Sequence, residues 1–265
     1  MATAANIDGE RSFSIGTVLG RAFGVMGDNP IATFGIAFLF GALPQQLYSY
    51  FIQPMRSVEP GAMGAMVLVT LGSVVVSLFF SMLVQGALVR ATMAYSEGSR
   101  ASIGESLSVG IARLLPLLGV SVLMAIALIF GFMLLIVPAI ILYMIWIVAT
   151  PAVVAEDIGV VEAFGRSSYL TKGARWKIFG LQLLLLVVFW IVSAIVGVFM
   201  VMGGGMQTMA SEMAAGRIPV SFLIMGAVSG TLLTAFWSTL QTSLYISLRD
   251  WKDGPQTEAL ADIFA

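Results

Sequence analysis

The chain has 265 residues, 59% of them hydrophobic and only 10% charged, whereas soluble domains carry about 25% charged residues, so a water-soluble domain is excluded. Its 13 Lys and Arg against 14 Asp and Glu leave a formal net charge of -1, which provides no basic field for nucleic acid. No Cys and no His occur, so disulfides, thiolate sites and imidazole acid-base or metal chemistry are excluded too.

The first residues, to Arg11, hold no apolar stretch, and no cleaved signal peptide is expected. Next, Ile15, Val18, Leu19, Ala22, Phe23 and Met26 recur on one helical face, with Thr17, Arg21 and Asp28 elsewhere; this predicts an amphipathic surface helix that Pro30 separates from the first span. Five stretches then lack any charge, at residues 29–55, 60–89, 114–155, 178–211 and 218–248. A spanning helix needs about 20 apolar residues. The 42 residues of 114–155 would make a helix of roughly 63 Å, about twice the hydrocarbon thickness. That stretch must fold back, and Pro138 is the expected turn. Six spans follow, at 31–53, 63–93, 115–136, 138–155, 178–202 and 219–248.

Six spans place Arg11, Arg21, Arg90, Arg100, Arg113, Arg166, Lys172, Arg175, Lys177, Arg249 and Lys252 on one side, against Arg56 and Arg217 on the other. By the positive-inside rule both termini are expected in the cytoplasm. The outer connections are 54–62, the turn at Pro138, and 203–218, where Gly203-Gly204-Gly205 precedes a Met206, Met209, Met213 stripe suited to the membrane surface.

A repeat is suggested by spacing. Gln85, Trp146 and Gln241 each stand 13 residues before Gly98, Gly159 and Gly254, and Tyr95, Glu156 and Trp251 stand three before the same glycines. Glu105-Ser106-Leu107, Glu162-Ala163-Phe164 and Glu258-Ala259-Leu260 follow them, and Gly9 opens a looser copy. The expected fold is therefore an all-α polytopic membrane helical bundle, with a surface helix plus hairpin repeated over 14–95, 102–155 and 160–248. Residues 1–13 and 249–265 are cytoplasmic tails of one membrane domain.

No spanning segment carries a charge well inside its apolar core, which disfavours an ion-coupled pump. The candidate polar groups at depth are Gln85, Gln182 and Gln241, with Gln45 and Gln46 nearby; hydrogen bonding between helices is their default role. Pro44 and Pro151 should kink their helices, and Gly226 with Gly230 permits a close helix approach. No phosphate loop, zinc helix motif or nucleophile elbow occurs. Glu156 and Asp157 point about 100° apart on a helix, and Glu162 is spaced for a pair with Arg166. No catalytic residues, metal site or cofactor are expected, and no enzyme activity.

Residues 151–180 read Pro151, Glu156, Gly159, Glu162-Ala163-Phe164, Arg166-Ser167, Leu170-Thr171-Lys172-Gly173, Trp176 and Gly180. This run resembles the signature of the bacterial glycerophosphoryl diester phosphodiesterase membrane-domain family and its inner-membrane relatives. The resemblance implies a bacterial inner-membrane location and a lipid-related context. It does not imply phosphodiesterase activity, since the His-dependent catalytic domain of the fused members is missing here. Within the run, Gly159 is expected as a left-handed helix stop, Glu162 in the first turn of the next helix and Gly173 at its end. Arg166, Lys172, Arg175, Trp176 and Lys177 form a basic, aromatic cluster at headgroup level, either an anchor or a site for an anionic lipid or partner.

Two functions compete: a non-catalytic membrane protein that binds lipid or scaffolds other membrane proteins, and a transporter or channel for a small neutral or amphipathic solute. A connected polar cavity past Gln85, Gln182 or Gln241 separates them, by whether it opens to water on one side or sideways to lipid.

Overall fold

The structure, a computed structural model, describes residues 13–52, 63–202, 205–214 and 219–254. Arg11, Arg56, Arg217, Gly9, Gly203, Gly204 and Glu258-Ala259-Leu260 lie outside the described residues, as do the side chains of Met206, Met209 and Met213. Among the described residues every regular element is helical. A first surface helix, α1 (Ile15–Asp28), precedes a span made of α2 (Pro30–Ile36), a π-turn (Ala37–Ala42) and α3 (Leu43–Ile52). The second span is α4 (Met63–Ser96), followed by the surface helix α5 (Ile103–Ala112). The third is α6 (Leu114–Leu134), and the fourth combines α7 (Ile136–Trp146) with α8 (Ala149–Glu156). After the surface helix α9 (Val160–Thr171) comes the fifth, α10 (Arg175–Met202), then the short α11 (Gly205–Ala214) and the sixth span, α12 (Val220–Asp253).

Among the described residues six segments are long and apolar enough to cross a membrane: Pro30–Phe51, Val67–Ser96, Leu114–Leu134, Ile136–Glu156, Arg175–Ile195 and Val220–Asp253. Pro30 occupies the first turn of its helix, as expected, after the cap Asn29. Pro138 acts differently from the expectation. The fold-back between the third and fourth spans is at Leu135, which is extended (φ -177°, ψ 158°), and not at Pro138. Pro138 lies in the first turn of α7, where the amide it lacks would have had no helical partner. The two arms then meet closely, for a Cβ on Gly131 would fall 2.9 Å from Ala139 Cα. Before Pro44 the helix widens into the π-turn, where the Leu43 amide reaches the Phe38 carbonyl. One extra residue per turn is the local response to the missing amide.

Each surface helix packs by the same register. Ser14, Ser102 and Gly159 are extended caps, and the residues four and eight later are buried: Val18 and Ala22, Ser106 and Gly110, Ala163 and Ser167. In α1 this stripe ends on Val25, while Phe23 stays 59% exposed beside the Phe236 ring of α12, and Arg21 turns to Asp250 and Ser247 of α12, each 3.3 Å away. The partners run in a cycle. Helix α5 rests on α4, where a Cβ on Gly110 would lie 2.6 Å from the Leu83 carbonyl; α9 rests on α7 and α8 through Trp146 and Phe164, 4.9 Å apart; α1 rests on α12. Every surface helix thus covers the second span of the hairpin before it, and the first closes on the last.

The glycine register read from the sequence is corrected by this geometry. Gly98 and Gly254 are left-handed (φ 72° and 85°), but Gly159 is an extended cap (φ -68°) and Asp157 takes the left-handed turn instead (φ 55°). Counted from the caps, Glu105 and Glu162 occupy equivalent third positions; the Ser102 hydroxyl accepts from the Glu105 amide at 3.1 Å, and Glu162 Oε2 accepts from the Gly159 amide at 3.0 Å.

Candidate functional site

The interruption of the fourth span is where the signature segment becomes legible. Between α7 and α8 the chain turns at Ile147 and Val148, and Pro151 enters the first turn of α8. Carbonyls at the end of α7 and amides at the start of α8 lack helical partners there. Helix α9 supplies them. The buried Ser167 hydroxyl donates to the Ile145 carbonyl at 2.8 Å and accepts from the Val148 amide at 3.3 Å, while Thr171 Oγ1 donates to the same Ile145 carbonyl at 3.2 Å. Gly173, left-handed at φ 90°, follows α9 as expected, and the Trp251 ring lies a tight 3.3 Å from where a Cβ would stand.

Below this break the charges gather. Arg166 Nε donates to Glu156 Oε1 at 2.8 Å and to Oε2 at 2.9 Å, its far end pairs with Asp253, and the Tyr245 hydroxyl donates to Glu156 Oε1 at 2.7 Å. One arginine therefore joins α8, α9 and α12. The expected Glu162–Arg166 pair does not form, because Glu162 is spent on its own helix cap. Burial opposes the Arg166 charge, but its hydrogen bonds to Asp253 and Glu156 outweigh that and hold its pKa above the ordinary arginine value. Nearby, Arg113 pairs with Asp157. The hydrogen bond from Arg113 holds the Asp157 carboxyl below its usual range, and the Arg113 guanidinium is raised in return.

The basic, aromatic cluster is divided by the fold. Arg166 faces inward to its two carboxylates, and Lys177 Nζ donates to the Phe13 carbonyl at 3.1 Å. Lys172 stays exposed, Trp176 is 86% exposed, and Arg175 has a buried Nε without a hydrogen-bond partner among the described residues. Lys172 and Trp176 face outward, and Arg175 is half-buried between them and the bundle.

The amides are divided too. Gln85 and Gln241 line a cavity of about 500 Å³ enclosed by the first, second, fourth and sixth spans. Gln182 lies outside it, its amide nitrogen buried without a partner among the described residues. From the first span come Gly41, Ala42, Gln45, Gln46 and Tyr48; from the second, Ser77, Ser81 and Gln85; from the sixth, Ser238, Gln241 and Thr242. Thr150 and Pro151 of the fourth span close one wall. Among the described residues no charged side chain lines it.

Close helix approach shapes this space. The Gly226–Gly230 pair meets the first span: a Cβ on Gly226 would fall 2.7 Å from Gln46 Nε2, and one on Gly230 would touch Ala42 at 3.6 Å.

Val89, which lines the cavity, also belongs to the packed cluster that includes Met93, Ala152, Tyr245 and Leu248. The cavity adjoins a cleft between α3 and α4, which shares Gln45, Tyr48, Ser77 and Ser81 and adds Ser73, Val74 and Leu78. The rim of that cleft is apolar and uncovered, with Leu71, Val74, Val75 and Leu78 all exposed.

Sequence reasoning missed Tyr245, Asp253, Ser167 and Thr171 as partners, and the π-turn beside the cavity. Ser-x-x-x-Thr on the buried face of α9 was the available signal for the first break. No curated protein and no solved structure matches the chain, and nothing in the comparisons links it to the glycerophosphoryl diester phosphodiesterase membrane domains. A family model does match residues 13–248, from just before α1 to near the C-terminal end of α12, and the chain belongs to that family, described as Domain of unknown function (DUF7847).

Proposed function

We infer that this chain is a non-catalytic, multi-pass protein of a bacterial inner membrane, with both termini cytoplasmic, that holds an amphipathic lipid in its central cavity. The observation that carries this reading is the cavity's lining and its neighbour: amides and hydroxyls set among apolar side chains, no charged side chain among the described residues, and an adjoining cleft between α3 and α4 flanked by apolar, uncovered side chains. A molecule entering along that cleft keeps its apolar part against Val74 and Leu78 while its polar part reaches the amides. Lys172, Arg175 and Trp176 supply a second contact, with anionic headgroups of the inner leaflet. Kinship with the phosphodiesterase membrane domains is part of the same reading, supported by the structural roles that Pro151, Arg166, Ser167, Thr171 and Gly173 have in this fold.

The test is reconstitution of the purified protein into liposomes, with co-purified lipid identified first. Retention of a defined lipid that is lost when the α3–α4 cleft is plugged by Ser77→Phe supports the reading. Saturable, protein-dependent movement of a water-soluble solute would replace it with transport, and phosphodiester hydrolysis would overturn the non-catalytic assignment.

A further inference from the structure

The polar lining of the cavity selects among lipids by charge, an inference that rests on the amphiphile-binding reading above. Its polar groups are amides and hydroxyls, with Gln45, Gln85 and Gln241 contributed by three different spans. Glu156, which ends the helix α8 whose first turn lines the cavity with Thr150 and Pro151, is already engaged by Tyr245 at 2.7 Å and by Arg166 at 2.8 Å. An anionic or zwitterionic headgroup drawn into this space would leave its charges without counter-ions in a poorly hydrated site, which is strongly unfavourable. A hydroxyl-bearing neutral headgroup meets the opposite situation. Each hydroxyl both donates and accepts, as does each glutamine amide, so the two sets of groups can satisfy one another without any charge. Ser77 Oγ already donates to Gln45 Oε1 at 3.4 Å across the cleft, so the two helices that form the entrance also present a linked pair of hydrogen-bonding groups.

We propose that the cavity between the first, second, fourth and sixth spans binds the uncharged, hydroxyl-bearing headgroup of a neutral lipid, whose acyl chains leave sideways between α3 and α4. Gln85 and Gln241 hold the headgroup, and the exposed apolar edge at Val74 and Leu78 carries the chains.

The experiment uses the full chain in lipid nanodiscs, with three probe lipids of identical dioleoyl chains: dioleoylglycerol (neutral), phosphatidylcholine (zwitterionic) and phosphatidylglycerol (anionic). Retained lipid is counted by native mass spectrometry for the unaltered protein, for Gln85→Leu and Gln241→Leu in the cavity, and for Gln182→Leu outside it. The neutral probe should be retained preferentially, and each cavity variant should lower that retention about threefold to tenfold, the loss of one or two neutral hydrogen bonds, with Gln182→Leu unchanged. If a glutamine variant fails to fold, Ser81→Phe fills the same space from α4 and should give the same loss. Cavity-dependent preference for the anionic or zwitterionic probe overturns the headgroup assignment while leaving amphiphile binding intact. Loss of preference for all three, or displacement by free glycerol irrespective of acyl chains, overturns both.

Discussion

The Ser167 hydroxyl lies 2.8 Å from the Ile145 carbonyl, which it satisfies at the point where the fourth span breaks, and it receives the Val148 amide at 3.3 Å. Helix α9 thereby acts as the missing turn between α7 and α8. Replacing Ser167 by Ala leaves these buried backbone groups short of a partner and should destabilise the protein by about 1–3 kcal/mol. Thermal unfolding in detergent reads the loss. Ser168→Ala, one residue along and outside this contact, should stay within about 0.5 kcal/mol of the unaltered chain.

Arg166 is coupled to Glu156 and Asp253, with Arg166 and Glu156 side chains only 23% and 22% exposed. Arg166→Met or Glu156→Gln alone strands a largely buried partner and should cost about 1–3 kcal/mol each. The double variant should cost less than the sum, with a coupling of about 0.5–3 kcal/mol. Additive losses would show that the contact across α8 and α9 contributes nothing to stability.

Asp157 titrates below its usual range because Arg113 hydrogen-bonds its carboxylate. A folded pKa lower than the unfolded one adds stability above the ordinary carboxylate range, near about 3.9, and that contribution disappears as pH falls through the folded value. Asp157→Asn keeps a residue type that tolerates the left-handed backbone at φ 55° and removes the charge pair. The difference in thermal midpoint between the two proteins should be present at neutral pH and vanish in acid. A difference that grows on acidification would refute the assignment.

Gly110 allows α5 to lie on α4, since a Cβ there would meet the Leu83 carbonyl at 2.6 Å and the Ala87 amide at 3.1 Å. Both are backbone and cannot step aside. Gly110→Ala should therefore destabilise by about 1–3 kcal/mol, whereas Gly104→Ala on the open side of α5, with nothing within 4 Å, should be neutral or slightly stabilising through helix propensity.

Orientation is checked by reporter fusions after residues 58, 137, 210 and 265. Activity of an externally active reporter at 58, 137 and 210, and its absence at 265, is the outcome that the eleven-to-two distribution of Lys and Arg predicts. Internal placement of 58 and 210 would reverse the topology.

The sequence by itself determined six helices of spanning length, the surface helix 15–28 before Asn29, and a fold-back at Pro138 that the structure places three residues earlier, at Leu135. These depend on local quantities: the length of an uncharged apolar run, the period of its polar residues, and the amides that prolines lack. Tertiary structure alone decided the partners. Glu162 stands four residues from Arg166, yet Arg166 goes to Glu156 and to Asp253, 87 positions away, because the cap at Gly159 claims Glu162 first and packing brings α12 to α9. The same holds for the glutamines. Gln85, Gln182 and Gln241 are each a single amide in an apolar run, alike in sequence; which of them faces a cavity depends on the rotation of each helix, and that rotation is set by distant small residues, Gly86 against Gly110 and Gly226 against Gln46, that allow some faces to close and hold others apart.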